Sequence, residues 1–200
     1  MPRVPRLTSA ATVQGCREPA CRLHSARKPG FQIRELSLTS QAMKLYFLRH
    51  AEALDGMDDA ARPLSTRGKK QARQIARFLQ QPAIAFDASY TSPLVRARQT
   101  AEIVLEMTNK ASPVKLELAD ALLNEFSHRD FNRWLEKLPP ARHVLLVGHA
   151  PSLSMRVAHL LGLASAAAVQ LPKGGLACLD TEDQKTAVLK FLITPKALGM

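Results

Sequence analysis

Apolar positions along this 200-residue chain fall into short continuous runs that alternate with helical stripes. Leu45-Tyr46-Phe47-Leu48 is one such run; it stops at Arg49-His50 and turns polar at Glu52. About a hundred residues later His143-Val144-Leu145-Leu146-Val147 leads straight into Gly148-His149. Runs of this length, apolar at every position, read as strands covered on both faces. Ala88-Ser89-Tyr90-Thr91 and Val114 to Leu118 are further strand candidates. Leu176 to Leu179 and Ala187 to Ile193 flank the polar turn Glu182-Asp183-Gln184-Lys185 and predict a hairpin.

Four stripes have the helical period. Ala72, Ile75, Ala76 and Leu79 stand at i, i+3, i+4 and i+7, with Ser65 or Thr66 as the cap and Pro82 as the stop. The opposite face, Lys69, Lys70, Arg73 and Arg77, reads as solvated. Ser92 is expected to cap a second helix that has Pro93 as its first residue and runs through Arg96, Ala97, Ala101, Val104 and Leu105. Phe131, Trp134, Leu135 and Leu138 mark a third, which makes Trp134 a core residue. The fourth starts near Ser152, carries Leu153, Val157, Leu160 and Leu161, and stops at Gly162. Strands alternating with helices predict an α/β fold: a three-layer α/β/α sandwich with a mostly parallel central sheet and an antiparallel strand or hairpin near the C-terminus.

Residues 1–42 have no hydrophobic period and carry seven cations against Glu18 and Glu35. They are expected to be a disordered basic leader, or an extension upstream of a start at Met43. Arg-rich and acid-poor composition also suits an organelle transit peptide, but no amphipathic stripe supports one. The globular part is therefore expected to span 43–200 and to be cytoplasmic. No run reaches the roughly 18 apolar residues of a membrane span.

A net charge of +11 invites a nucleic-acid partner, yet the leader holds nearly half of it and aromatic residues are 5% of the chain, too few for base stacking. The expected partners are anionic ligands, with no nucleic acid and no membrane. Cys16, Cys21 and Cys178 have neither disulfide nor zinc spacing and are expected to be free thiols.

Arg49, His50, Arg96 and His149 each fall just beyond a predicted strand or in the first turn after one. A parallel sheet gathers such positions at one edge. Two guanidiniums, two imidazoles and a helix N-terminus make a pocket for a phosphoryl group. A neutral imidazole there can attack phosphorus and form a phosphohistidine, and fixed cations stabilise the charge of the transition state without a metal or other cofactor.

Four segments, Leu48-Arg49-His50-Ala51-Glu52, Leu64-Ser65-Thr66-Arg67-Gly68, Ser92-Pro93-Leu94-Val95-Arg96-Ala97-Arg98-Gln99-Thr100-Ala101 and Val147-Gly148-His149-Ala150-Pro151, resemble in order and spacing the signature of the histidine phosphatase superfamily, the phosphoglycerate-mutase-like fold. The resemblance covers Lys44 to about Gly162 well and nothing in the leader. It implies His50 as nucleophile, Arg49 and Arg96 as phosphate ligands, and His149 as a further phosphate contact and transition-state stabiliser. The short domain and the forms of the motifs look most like phosphohistidine phosphatases, which act on phosphorylated histidine-containing proteins.

Many members of that family also place a carboxylic acid between the second and last motifs to protonate the leaving oxygen; Asp120 and Glu125 are the candidates here. If Glu125 reaches the pocket as proton donor, the expected substrate becomes a phosphate monoester of a sugar, nucleoside or other small metabolite. If it is a loop carboxylate, a phosphoramidate is expected. A non-catalytic phosphate-binding regulatory module is the alternative of another class, which retention of both His50 and His149 disfavours. His128 is expected at the surface or the pocket rim, His143 and His159 in structural or exposed positions, and Lys173-Gly174-Gly175 as a turn.

Overall fold

The computed structural model describes residues 42–199. The expected leader, apart from Ala42, lies outside the described residues, as do Cys16 and Cys21. Six strands form one sheet: β1 (Met43–Arg49), β2 (Ala88–Thr91), β3 (Leu116–Leu118), β4 (His143–Gly148), β5 (Leu176–Thr181) and β6 (Val188–Ile193), in the order β3-β2-β4-β1-β5-β6. The first four are parallel; β5 runs antiparallel to β1, and β6 antiparallel to β5. Four helices, α1 (Thr66–Gln80), α2 (Val95–Thr108), α3 (His128–Leu135) and α4 (Ser152–Leu160), complete an α/β/α sandwich as expected. Among the described residues no helix is long and apolar enough to cross a membrane.

The all-apolar runs are explained by the two cores. Leu45, Phe47, Val144 and Leu146 pack with α3 and α4 through Phe131, Leu135, Leu153 and Val157. Their neighbours Tyr46, Leu48, Leu145 and Val147 pack with α1 and α2 through Ile75, Leu79, Ala101 and Val104. Alternate side chains of a strand face opposite ways, so a central strand covered on both sides is apolar throughout. Tyr46 is the exception and satisfies its hydroxyl on His143 Nδ1 at 2.9 Å.

The direction of β5 follows from the path after α4. Residues 161–175 carry the chain back to the carboxyl edge of the sheet, where Arg49 N–H donates to Gly175 O (3.0 Å) and β5 starts with Leu176 opposite Leu48. A strand that starts there must run antiparallel, and the returning segment walls the same edge.

Two helix starts differ from expectation. Ser92 and Pro93 do not open α2; Leu94 is the N-cap residue and makes no side-chain cap bond, because the Ser92 hydroxyl is spent on His149 (2.6 Å). Helix α3 starts at His128, ahead of its apolar stripe, because Ser127 caps it by accepting from Asp130 N–H. Trp134 is partly buried and packs against the core.

Ser65 caps α1 by accepting from Gly68 N–H at 2.9 Å, and Ser65 N–H donates to Glu52 O. The first turn of α1 thereby lies flat on the backbone that follows His50. A Cβ at Gly68 would drive into the Glu52 carbonyl. Gly→Ala within a helix ordinarily stabilises by about 0.5–1 kcal/mol, but here steric overlap with backbone reverses the sign. Gly68→Ala is expected to lower the urea unfolding free energy by about 1–3 kcal/mol; equal or greater stability would contradict this packing.

Candidate active site

The parallel register sets Arg49 opposite Gly148, and His50 N–H donates to Gly148 O at 3.0 Å. The residues that follow, His50 and His149, are thus delivered side by side, with ring centroids 4.9 Å apart and both side chains buried. Gly148 permits the close approach of another segment: a Cβ there would sit 2.8 Å from the Leu122 carbonyl oxygen. His50 Nδ1 lies 2.7 Å from Ala51 O. A carbonyl only accepts, so Nδ1 carries the proton and the lone pair of the neutral ring is on Nε2. His149 holds Ser92, the residue just after β2, through Nε2.

Arg49 and Arg96 flank the imidazoles. Arg49 donates through Nη1 to Leu171 O (2.9 Å), while its buried Nε has no partner among the described residues. Arg96, in the first turn of α2, is buried, and its fork is taken by one residue of the loop after β1: Nη2 contacts Asp59 Oδ2 at 2.9 Å and Nη1 donates to Asp59 O at 2.6 Å. Val95 N–H donates to Ala60 O (3.1 Å). The α2 N-terminus, expected to be open to an anion, is therefore covered by Asp59 and Ala60. The Asp59 carboxylate is 64% exposed, so the cover is hinged on a solvent-facing group.

Behind these residues is a support that the sequence did not signal. Thr100 Oγ1 accepts from Ala51 N–H and donates to Arg96 O, tying the turn after His50 to the helix that carries Arg96. Gln71 and Gln99 accept from Glu52 N–H and Leu64 N–H. Arg62 holds Asp55 and Asp59 within the covering loop. Gln99 and Thr100 belong to the segment Ser92 to Ala101, but their partners are contacts between distant segments.

Glu125 and Asp120 are exposed, and their side chains make no hydrogen bond or ion pair among the described residues. His128 and His159 meet edge to face, with centroids 4.1 Å apart. Lys173-Gly174-Gly175 is a turn, as expected, but it adjoins the site: Gly174 N–H donates to Arg49 O and His50 O. No group of three His, Cys, Asp or Glu among the described residues is arranged to hold a metal.

Burial, then the charges of Arg96, Arg49 and Lys173, push the His50 imidazole down to about 4 against the pull of the Ala51 carbonyl. Burial first, then His50 and Arg96, push His149 to about 3. Both rings are neutral at pH 7, the form a nucleophile needs. Asp59 is held below the usual carboxylate range, first by its bond to Arg96 and then by Arg62. The charged imidazolium is the disfavoured form in each ring, so neutrality persists as pH falls until these lowered values are reached. In ¹H–¹⁵N imidazole spectra, His50 and His149 are expected to keep neutral shifts down to about pH 5. Titration of either near 6.5 would contradict the described burial.

Known proteins share this fold and parts of this sequence. The profile of the Histidine phosphatase superfamily (branch 1) matches residues 45–139. An uncharacterized protein of Picosynechococcus is 34% identical over 78% of this chain and 99% of its own length. The phosphohistidine phosphatase SixA of Escherichia coli is 33% identical over 37% of this chain and 47% of that protein. The adenosylcobalamin/alpha-ribazole phosphatase of the same organism is 26% identical over 79% of this chain and 98% of its own. A solved structure of the protein histidine phosphatase SixA with tungstate superposes with a TM-score of 0.71 over 78% of this chain and 99% of that one, at 24% identity. With the profile spanning β1 through α3 and a relative matched along almost its full length, the chain belongs to the histidine phosphatase superfamily, branch 1, as one of its phosphatases.

Proposed function

We propose that this phosphatase removes the phosphoryl group from phosphohistidine in proteins, through a covalent intermediate on His50. The observation that carries the reading is the state of Asp59. This carboxylate, held at the site, is bound by the guanidiniums of Arg96 and Arg62 and kept ionised, so it has no proton to give at neutral pH. Glu125 and Asp120 face solvent. An alkoxide leaving group needs a general acid, whereas an imidazole that carries a proton on its far nitrogen leaves as the neutral heterocycle.

In this reading His50 Nε2 attacks phosphorus in line with the P–N bond of the substrate. That bond breaks, its electron pair returns to the departing imidazole, and Nδ1–H of His50 stays on the Ala51 carbonyl. Arg49 and Arg96 bind the equatorial oxygens, Asp59 giving way on Arg96 as the phosphoryl group enters. Water then attacks phospho-His50; the Nε2–P bond breaks, the water proton passes to solvent and inorganic phosphate leaves, with His149 in this reading a further phosphate contact that stabilises the transition state. No step calls on a metal.

A phosphomonoesterase acting on a small metabolite, with Glu125 or Asp120 as acid, is the second reading. The match along nearly the full length of an alpha-ribazole phosphatase favours it. Membership among the phosphatases of the superfamily sets aside the non-catalytic module.

Hydrolysis of a phosphohistidine-bearing phosphocarrier protein and of small monoesters, in the presence of EDTA, separates the readings. Preference for the phosphocarrier is expected, with His50→Ala lowering turnover by roughly 10³-fold or more and Glu125→Gln leaving it unchanged. Preference for a monoester that falls with Glu125→Gln would establish the second reading. Asp59→Asn, which removes the charge competing for Arg96, is expected to tighten inhibition by inorganic phosphate about two- to fivefold, in keeping with roughly 0.5–1 kcal/mol for an exposed pair. Unaltered inhibition would remove Asp59 from the site.

A further inference from the structure

The segment that returns from α4 to β5 and the residues after β6 enclose a cavity of about 870 Å³, lined by Arg49, Arg67, Ala167, Leu171, Lys173 and Lys196 among others. It opens directly off the catalytic edge. Arg49 is shared between the two, bonded by Nη1 to the cavity wall at Leu171 O, and Ala150 and Pro151, the residues after His149, form part of the opposite wall. The other flank of the site is closed by the loop that carries Asp59 and Ala60. A group on the phosphorus that is large enough to reach beyond the site has this cavity to extend into.

The lining says what that attachment is. Ala166, Ala167, Val169, Leu171, Pro151 and Pro172 give largely apolar walls. A pocket for a small polar metabolite has several buried polar groups converging to fix orientation. Here the carbonyl of buried Gln71 is already bonded to Glu52 N–H, and Arg67 is paired with Glu52 at 3.4 Å. Apart from Arg49, which is shared with the site, the uncommitted charges are at the rim: Lys173 and Lys196 are exposed and have no carboxylate partner among the described residues. An apolar floor under a rim of free cations fits a protein surface that offers an apolar side chain ringed by carboxylates.

Resting on the phosphohistidine reading above, we propose that this cavity docks the protein segment that bears the phosphohistidine: one apolar side chain of the segment seats between Ala167 and Leu171, and acidic residues flanking the histidine lie against Lys173 and Lys196. The cavity is then the source of selectivity among phosphohistidine proteins, while the His50 site does the same chemistry on any phosphoramidate it can reach.

The test uses the full chain and its variants Ala167→Trp, which fills the cavity, and Lys196→Glu, which reverses one rim charge. Substrates are N-phosphoimidazole and two phosphohistidine peptides of equal length, one with Asp and Glu around the histidine and one with Asn and Gln. Both variants are expected to turn over N-phosphoimidazole within about twofold of the parent. Ala167→Trp should raise KM for both peptides about tenfold. Lys196→Glu should raise KM for the acidic peptide by about fivefold or more and barely change the amide peptide, and added salt should erase that difference. Unmoved peptide KM in both variants, or a KM rise just as large on N-phosphoimidazole, overturns the docking assignment while leaving the reaction intact. A parent chain inactive on N-phosphoimidazole overturns the reaction itself, and this assignment with it.

Discussion

The parallel pairing of β1 with β4 is the constraint on which the rest depends. Both strands are apolar on both faces, so burial alone would accept them shifted along one another. Polar residues at the ends fix the alignment. Tyr46 must find His143 for its hydroxyl, and at the other end His50 N–H takes the Gly148 carbonyl. Gly148 adds a steric condition, since the approach of the Leu122 backbone leaves no room for a side chain. A slip by one residue would turn every side chain to the other face and part the two histidines. The geometry of the catalytic edge is thus a direct product of sheet register.

The electrostatics follow from the same enclosure. Burial and the nearby guanidiniums act on the imidazoles in one direction, both favouring the neutral ring, so neutrality does not rest on any single arginine. For the guanidiniums burial works against the charge they must hold: it lowers the ease of holding charge on Arg49, and buried Arg96 is paired with Asp59. A buried cation left unpaired is expensive, so the resting enzyme supplies an anion of its own. Asp59 is mostly solvent-facing, so in the proposed reaction its carboxylate returns to water as the phosphoryl group takes its place.

Sequence reasoning reached those parts that depend on local pattern. Strand ends at His50 and His149, the α1 stripe, the β5–β6 hairpin and the order of layers all followed from period and punctuation. What escaped it were side chains whose role is set by a distant partner. Ser92-Pro93 has every local mark of a helix start, yet the hydroxyl is worth more to the buried His149 than to the end of α2. Asp59 sits in a polar stretch that looks like any loop, and nothing local announces that it folds onto Arg96, 37 residues away. Lys173-Gly174-Gly175 read as a turn, and is one, but its neighbours Arg49 and His50 become visible only when β5 is known to start beside the end of β1. The cavity wall built from residues 166–173 and 194–196 has no sequence signature at all, since its shape comes from the chain's return path.

One short contact carries a chemical consequence. With Nδ1 of His50 committed to the Ala51 carbonyl, the imidazole has one reactive end. A phosphoryl group taken up by this ring is carried on Nε2, as the tele isomer, and the ring keeps its remaining proton throughout. Phosphohistidine in proteins occurs on either nitrogen, but the intermediate proposed for His50 would have a single regiochemistry, imposed by a backbone oxygen that no side-chain substitution can remove.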